Sequence, residues 1–81
     1  METRVAIIAI LVKNRESSGK INEILHEYGD FIIGRMGLPY RPKSINIISV
    51  AVDAPQDIIS AMAGKIGALP NVSVKTLYSD F

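Results

Sequence analysis

From Val5 to Val12 the chain reads Val-Ala-Ile-Ile-Ala-Ile-Leu-Val, eight apolar residues without a break, held between Arg4 and Lys13. So short and so apolar a run, rich in β-branched residues, predicts a buried strand from Thr3 to Val12 rather than a helix. Both of its alternating sets are apolar: Val5, Ile7, Ala9 and Leu11 on one side, Ala6, Ile8, Ile10 and Val12 on the other. Ile45 to Val52 repeats the pattern, with Ile45 and Ile47 on one set and Ile48, Val50 and Val52 on the other. Strands of that kind belong in the middle of a sheet, so the remaining segments must supply its edges and its cover.

Two segments change the period from two to 3.6. Ile21, Ile24, Leu25 and Tyr28 form one helical stripe in a helix predicted over Arg15 to Tyr28, with Asn14 as N-cap, Glu16 in the first turn and Gly29 as a left-handed terminator. Ile58, Ile59, Met62, Ile66 and Leu69 form the second stripe, in a helix that Gly67 ends before Pro70. Its start admits two readings: a capping box of Asp53 and Gln56, or Pro55 at the first helical position with Ala54 as cap. Asp30 to Met36 is a short strand. Gly37 to Ser44 is expected to be a turn-rich connection, because Pro39 and Pro42 oppose a continued ladder. Val72 to Tyr78 alternates Val72, Val74, Thr76 and Tyr78 against Ser73, Lys75 and Leu77, the pattern of a half-exposed strand.

The order is β-α-β-β-α-β, and the two halves echo each other. Two amphipathic helices can cover one face of a four-stranded antiparallel sheet. The fold class is therefore α+β, ferredoxin-like, with strand order 4-1-3-2. The edge strands carry Arg35, Ser73, Lys75 and Ser79, while the central strands carry apolar residues on both faces, as that order requires. At 81 residues the chain is expected to form a single domain spanning 1–81.

An open face rich in Ile and Val would be costly to leave in water. Homo-oligomer formation through the sheet is expected, with Ile8, Ile10, Ile48 and Val50 as interface residues. The competing arrangement has long side chains such as Arg4 or Met36 folding over that face. On the second helix Ser60, Ala63, Gly64 and Gly67 make a strip of small residues away from the apolar stripe. Gly64 inside a helix is unfavourable by about 1 kcal/mol relative to Ala, so it is a further candidate contact.

Composition removes several kinds of chemistry. With no Cys, this chain has no disulfide, no thiolate metal site and no Cys nucleophile. Nine Lys and Arg against eight Asp and Glu give a net charge of +1, which argues against direct nucleic-acid binding or an anionic-membrane partner. The longest apolar run falls far short of the roughly 20 residues of a membrane-spanning helix, and the chain is expected to be cytoplasmic. His26, the single His, lies on the polar side of the first helix beside Asn22, Glu23 and Glu27, and reads as a surface residue. No phosphate-loop, dinucleotide or Ser-His-Asp pattern is present, so no catalytic residue, metal ligand or cofactor is assigned and the chain is read as a non-enzyme. The best positive clusters are Lys13 with Arg15, and Arg35, Arg41 and Lys43 around the second hairpin; either can hold a carboxylate or phosphate.

The sequence as a whole resembles the small iron-only hydrogenase system regulators, relatives of ACT domains and of the C-terminal domain of the nickel-responsive repressor. The resemblance runs from Glu2 to Tyr78. It is carried by Arg15-Glu16-Ser17, by Ile21 to Asp30, by Gly34-Arg35-Met36-Gly37-Leu38-Pro39-Tyr40, and by Gly64-Lys65-Ile66-Gly67 with Pro70, Val72, Val74 and Lys75. It implies an ACT-like fold, oligomers built through the sheets and a regulatory role in anaerobes that make iron-only hydrogenase. Nickel sensing does not carry over, because the repressor's several His and its Cys are missing here, as is its DNA-binding ribbon-helix-helix segment. ACT domains often bind amino acids at subunit interfaces near the first strand-to-helix turn, which here is Val12-Lys13-Asn14-Arg15. Lys13, Asn14 and Arg15, with Arg41 second, are thus the expected contacts of a small-molecule effector whose state is passed to a regulated protein partner. A ligand-free protein–protein assembly module is the alternative.

Overall fold

A computed structural model describes residues 2–13 and 16–81. The elements follow the expected order: β1 (Arg4–Lys13), α1 (Ser18–Glu27), β2 (Ile32–Tyr40), β3 (Ile45–Ala54), α2 (Gln56–Gly67) and β4 (Val72–Tyr78), with single 3-10 turns at Gly29–Phe31 and Arg41–Lys43. The strands form one antiparallel sheet in the order β2-β3-β1-β4, the expected ferredoxin-like order read from the other edge. β1 and β3, apolar on both alternating sets, occupy the centre, where their side chains meet both the helical layer and the opposite surface.

Register determines which set lies under the helices. Ile8 pairs with Val50 and Ile10 with Ile48. Thr76 and Val74 of β4 stand opposite Ile8 and Ile10 on the other flank. Ile8, Ile10, Val12, Val50 and Val52 are fully buried against Ile21 and Leu25 of α1 and Ile59, Met62 and Ile66 of α2. This corrects the expected interface: Ile8, Ile10 and Val50 have no surface to offer a partner, and Ile48 is half-buried against the core. Both sets in β1 are aliphatic, so their chemistry alone does not say which one the helices cover.

The uncovered face belongs to the other set. Val5, Ile7 and Leu11 are 43–48% exposed there, joined by Met36, Leu38 and Tyr40 of β2 and by Leu77 of β4. Arg4 does not fold over this surface. Its guanidinium stacks on the Tyr78 ring 4.5 Å from the centroid and donates to Gln56 Oε1 and the Ser79 carbonyl. Met36 is itself 62% exposed and covers nothing.

Several boundaries differ from expectation. β2 continues through Pro39 to Tyr40, paired with β3 as far as Tyr40 opposite Ile45, so the turn is confined to Arg41–Ser44, with Ser44 left-handed at φ 53°. An edge strand accepts Pro where its missing N–H would face solvent. α1 begins at Ser18 with Ser17 in the N-cap position, which leaves Glu16 in the preceding turn and excludes Asn14 as its cap; Asn14 lies outside the described residues. Gly29 keeps a negative φ and opens the 3-10 turn, so α1 has no left-handed terminator, and Asp30 belongs to that turn rather than to β2. At α2 neither expected cap forms: Pro55 takes the N-cap position, and its carbonyl accepts from the N–H groups of Ile58 and Ile59.

Candidate functional site

All four strands bring loop residues to one end of the sheet, where β1 and β2 finish and β3 and β4 begin. Lys13, the last residue of β1, pairs with Ile45, and Ile45 pairs with Tyr40, so three neighbouring strands carry these residues in one row on the uncovered face. With strands about 4.8 Å apart, Lys13 and Tyr40 stand roughly 10 Å from each other. Arg41 follows Tyr40 directly, in the exposed turn. The structure thus brings Lys13 and Arg41 to the same end of the molecule. Asn14 and Arg15, the other expected ligand contacts, lie outside the described residues.

The base of this end is pinned by a contact the sequence reading missed. Among the described residues Ser17 is the one buried polar residue, and its hydroxyl donates to the Pro70 carbonyl at 2.8 Å. The Lys13 N–H donates to the Asn71 carbonyl, also at 2.8 Å, and Asn71 holds a left-handed φ of 61°. The turn after β1 is therefore tied to the turn before β4 at two points, one backbone and one side chain. Ser17 and Pro70 are 53 positions apart, so local pattern carries no sign of the contact. On the other flank Asn46 Nδ2 lies 3.5 Å from Ser18 Oγ, joining the start of β3 to the start of α1.

Chemically, the exposed cations Lys13 and Arg41 above a hydrogen-bonded turn suit an anionic group such as a carboxylate or phosphate. Arg35, grouped with Arg41 by sequence, stands apart: it lies on the helix side of β2 and donates to Asn22 Oδ1 of α1 at 2.9 Å. There it walls an open groove of about 470 Å³ between α1 and β2, where exposed His26 also sits. A second groove, about 360 Å³ and mostly apolar, runs between the start of β1 and Leu77 to Phe81. Among the described residues no group of three His, Asp or Glu is placed to hold a metal ion. No described helix is long and apolar enough to cross a membrane.

Lys65 joins the two helices. Its ammonium lies 3.0 Å from Glu27 Oε1 and 5.0 Å from the centre of the Tyr28 ring. The Tyr28 side chain first, and the Glu27 carboxylate second, raise its pKa above the ordinary 10.5. Gly64, one turn from the α2 terminus, is exposed with nothing within 4 Å of where a Cβ would stand.

Fold and site together define a small ACT-like α+β domain with two helices on one face and a bare apolar sheet on the other. Residues 4–76 match the TM1266-like family of proposed iron-only hydrogenase system regulators, and the chain belongs to that family. The solved structure of the uncharacterized protein TM1266 from Thermotoga maritima is 36% identical, with a TM-score of 0.90 over 95% of this chain and 98% of that one. A formyltetrahydrofolate deformylase from Pseudomonas putida KT2440 aligns with a TM-score of 0.69 at 12% identity, over 95% of this chain and 29% of that one. At that identity the likeness is one of fold alone. No curated protein matches the sequence.

Proposed function

We propose that this protein is a homo-oligomeric, cytoplasmic regulatory module of the iron-only hydrogenase system. In this reading it binds a small anionic effector at a subunit interface and passes the bound state to a protein partner. One observation carries it: the bare apolar face ends in the row Tyr40, Ile45, Lys13, so a surface that calls for a partner and a cationic end suited to a ligand adjoin. At about 25 cal/mol per Å², covering a few hundred Å² of that face adds several kcal/mol per chain, comparable with the whole stability margin of a small domain. Lys13, Asn14 and Arg15 are the proposed ligand contacts, with Arg41 from the neighbouring turn. Family membership supports regulation over catalysis.

Ligand-induced thermal shifts across a panel of amino acids and nucleotides test the reading, since a ligand that binds only the folded state raises Tm as its concentration exceeds Kd. Arg15→Ala is expected to weaken such a shift without dissolving the oligomer, and unchanged affinity would remove Arg15 from the site. The apolar face also favours a second reading, a ligand-free assembly module, because it explains association with no ligand at all. A stable oligomer that no panel member shifts selects that reading.

A further inference from the structure

We infer that the groove between α1 and β2 is a binding site for a small organic carboxylate, with the ligand's charged group on Arg35 and its aliphatic body on Leu25, Ile32 and Ile33. The groove's walls come from one chain, so this site goes beyond the effector end proposed above and does not depend on it. It opens on the helix side of β2 near the start of the strand, whereas Tyr40 and Arg41 stand at the strand's far end. Five residues of strand, roughly 17 Å, separate Arg35 from Tyr40, which lies on the opposite face.

A break in the β2 ladder puts a cation in this groove. Ile32 pairs with Val52 and Gly34 with Ala51, so Ile33 is an extra residue, a bulge in the edge strand. Continued from Ile32 without the bulge, the register would set Arg35 opposite Ser49, on the bare face. With it, Arg35 stands opposite Val50, which is fully buried beneath the helices, and its guanidinium turns to α1. Bulges are over-represented at sheet edges and beside active sites, where they re-aim a side chain. On α1 Asn22 and His26, one turn apart, line the facing wall. Asn22 Oδ1 accepts from Arg35 at 2.9 Å, which holds the guanidinium in place and occupies only one N–H of its planar fork. His26 offers a ring N–H donor in either protonation state.

The lining also sets the class of ligand. No Asp or Glu lines the groove, and among the described residues Arg35 takes part in no ion pair. A carboxylate therefore meets an uncommitted guanidinium, which can bind it through two parallel N–H bonds, while an ammonium group finds no counter-charge. Buried Leu25 and half-buried Ile32 form an apolar floor, and Ile33, 63% exposed, forms the rim. An aliphatic body gains from these side chains what inorganic phosphate cannot. At about 470 Å³ the groove falls within the range of roughly 300–1,000 Å³ usual for small-molecule sites.

The test is an NMR titration of the full chain, following its backbone amides, with 4-methylpentanoate as probe and its uncharged amide, leucine and inorganic phosphate as controls. 4-Methylpentanoate is expected to give saturable shifts confined to residues 22–29 and 32–35. Each control is expected to bind about tenfold more weakly or worse. Arg35→Met is expected to raise the Kd for 4-methylpentanoate by about tenfold or more, and Ile33→Ser to raise it by a smaller factor. Both side chains are exposed, and the amide spectrum of each variant reports whether it is folded. Unchanged affinity in Arg35→Met, equal binding of any control, or no saturation by about 10 mM overturns the site. Shifts confined to the Lys13 end overturn it as well while supporting the effector end proposed above, so the two readings fail separately.

Discussion

The hydroxyl of Ser17 donates to the carbonyl of Pro70 at 2.8 Å, tying the turn that leads into α1 to the turn that leads out of α2. Beside it the Lys13 N–H donates to the Asn71 carbonyl, so the proposed ligand end of the sheet is held from two sides before any ligand arrives. Ser17→Ala removes the only side-chain member of this pair. Pro70 is exposed and water can serve its carbonyl, which limits the cost to about 1 kcal/mol. A Tm lowered by about 4–8 °C in a thermal melt is the expected outcome.

The two faces of β1 predict opposite behaviour for neighbouring residues. Ile10→Ala empties a fully buried site under the helices and is expected to cost about 2–5 kcal/mol in denaturant unfolding. Leu11, 48% exposed on the bare face, touches no helix. Leu11→Gln should leave the circular dichroism spectrum native while sedimentation shows weaker association.

Gly64 separates the bare sheet from the small-residue strip of α2 as interfaces. No atom lies within 4 Å of its missing Cβ, so Gly64→Ala is expected to stabilise the helix by about 0.5–1 kcal/mol. Association through the sheet is unaffected in that case. A variant that folds more stably yet dissociates would move the interface to α2.

The Lys65 contact gives a pH dependence with a definite sign. Its pKa is raised in the folded state by Tyr28 and then Glu27, so its contribution is present in full below pH 10.5 and is lost as pH rises through the folded value. The contact is exposed and its effect is accordingly small. Lys65→Met should be less stable than wild type at neutral pH, and the difference should close in unfolding curves taken at increasingly alkaline pH.

Much of the fold was legible because three of the four strands advertise their place. The alternation of Val72, Val74, Thr76 and Tyr78 gave β4 its ends to the residue, and the doubly apolar β1 and β3 could stand only in the centre. The same double apolarity hid which set the helices cover, since Ile7 and Ile8 are chemically alike and only pairing with the rest of the sheet distinguishes them. Met36, Leu38 and Tyr40 do alternate as a strand, but Pro39 and Pro42 masked the signal because Pro is excluded only from central strands. At the site, the basic residues could be picked out by charge, and the structure shows that Lys13 and Arg41 share an end while Arg35 does not. The Ser17–Pro70 contact had no local signature, being made between residues far apart in the chain.

Native mass spectrometry of freshly purified protein tests the central claim most directly, because one spectrum reports the subunit number and any retained small molecule. The account predicts a multimer, carrying a stoichiometric added mass when the effector survives purification. A monomer at micromolar concentration, with the apolar face of β1 and β2 left in water, would contradict it.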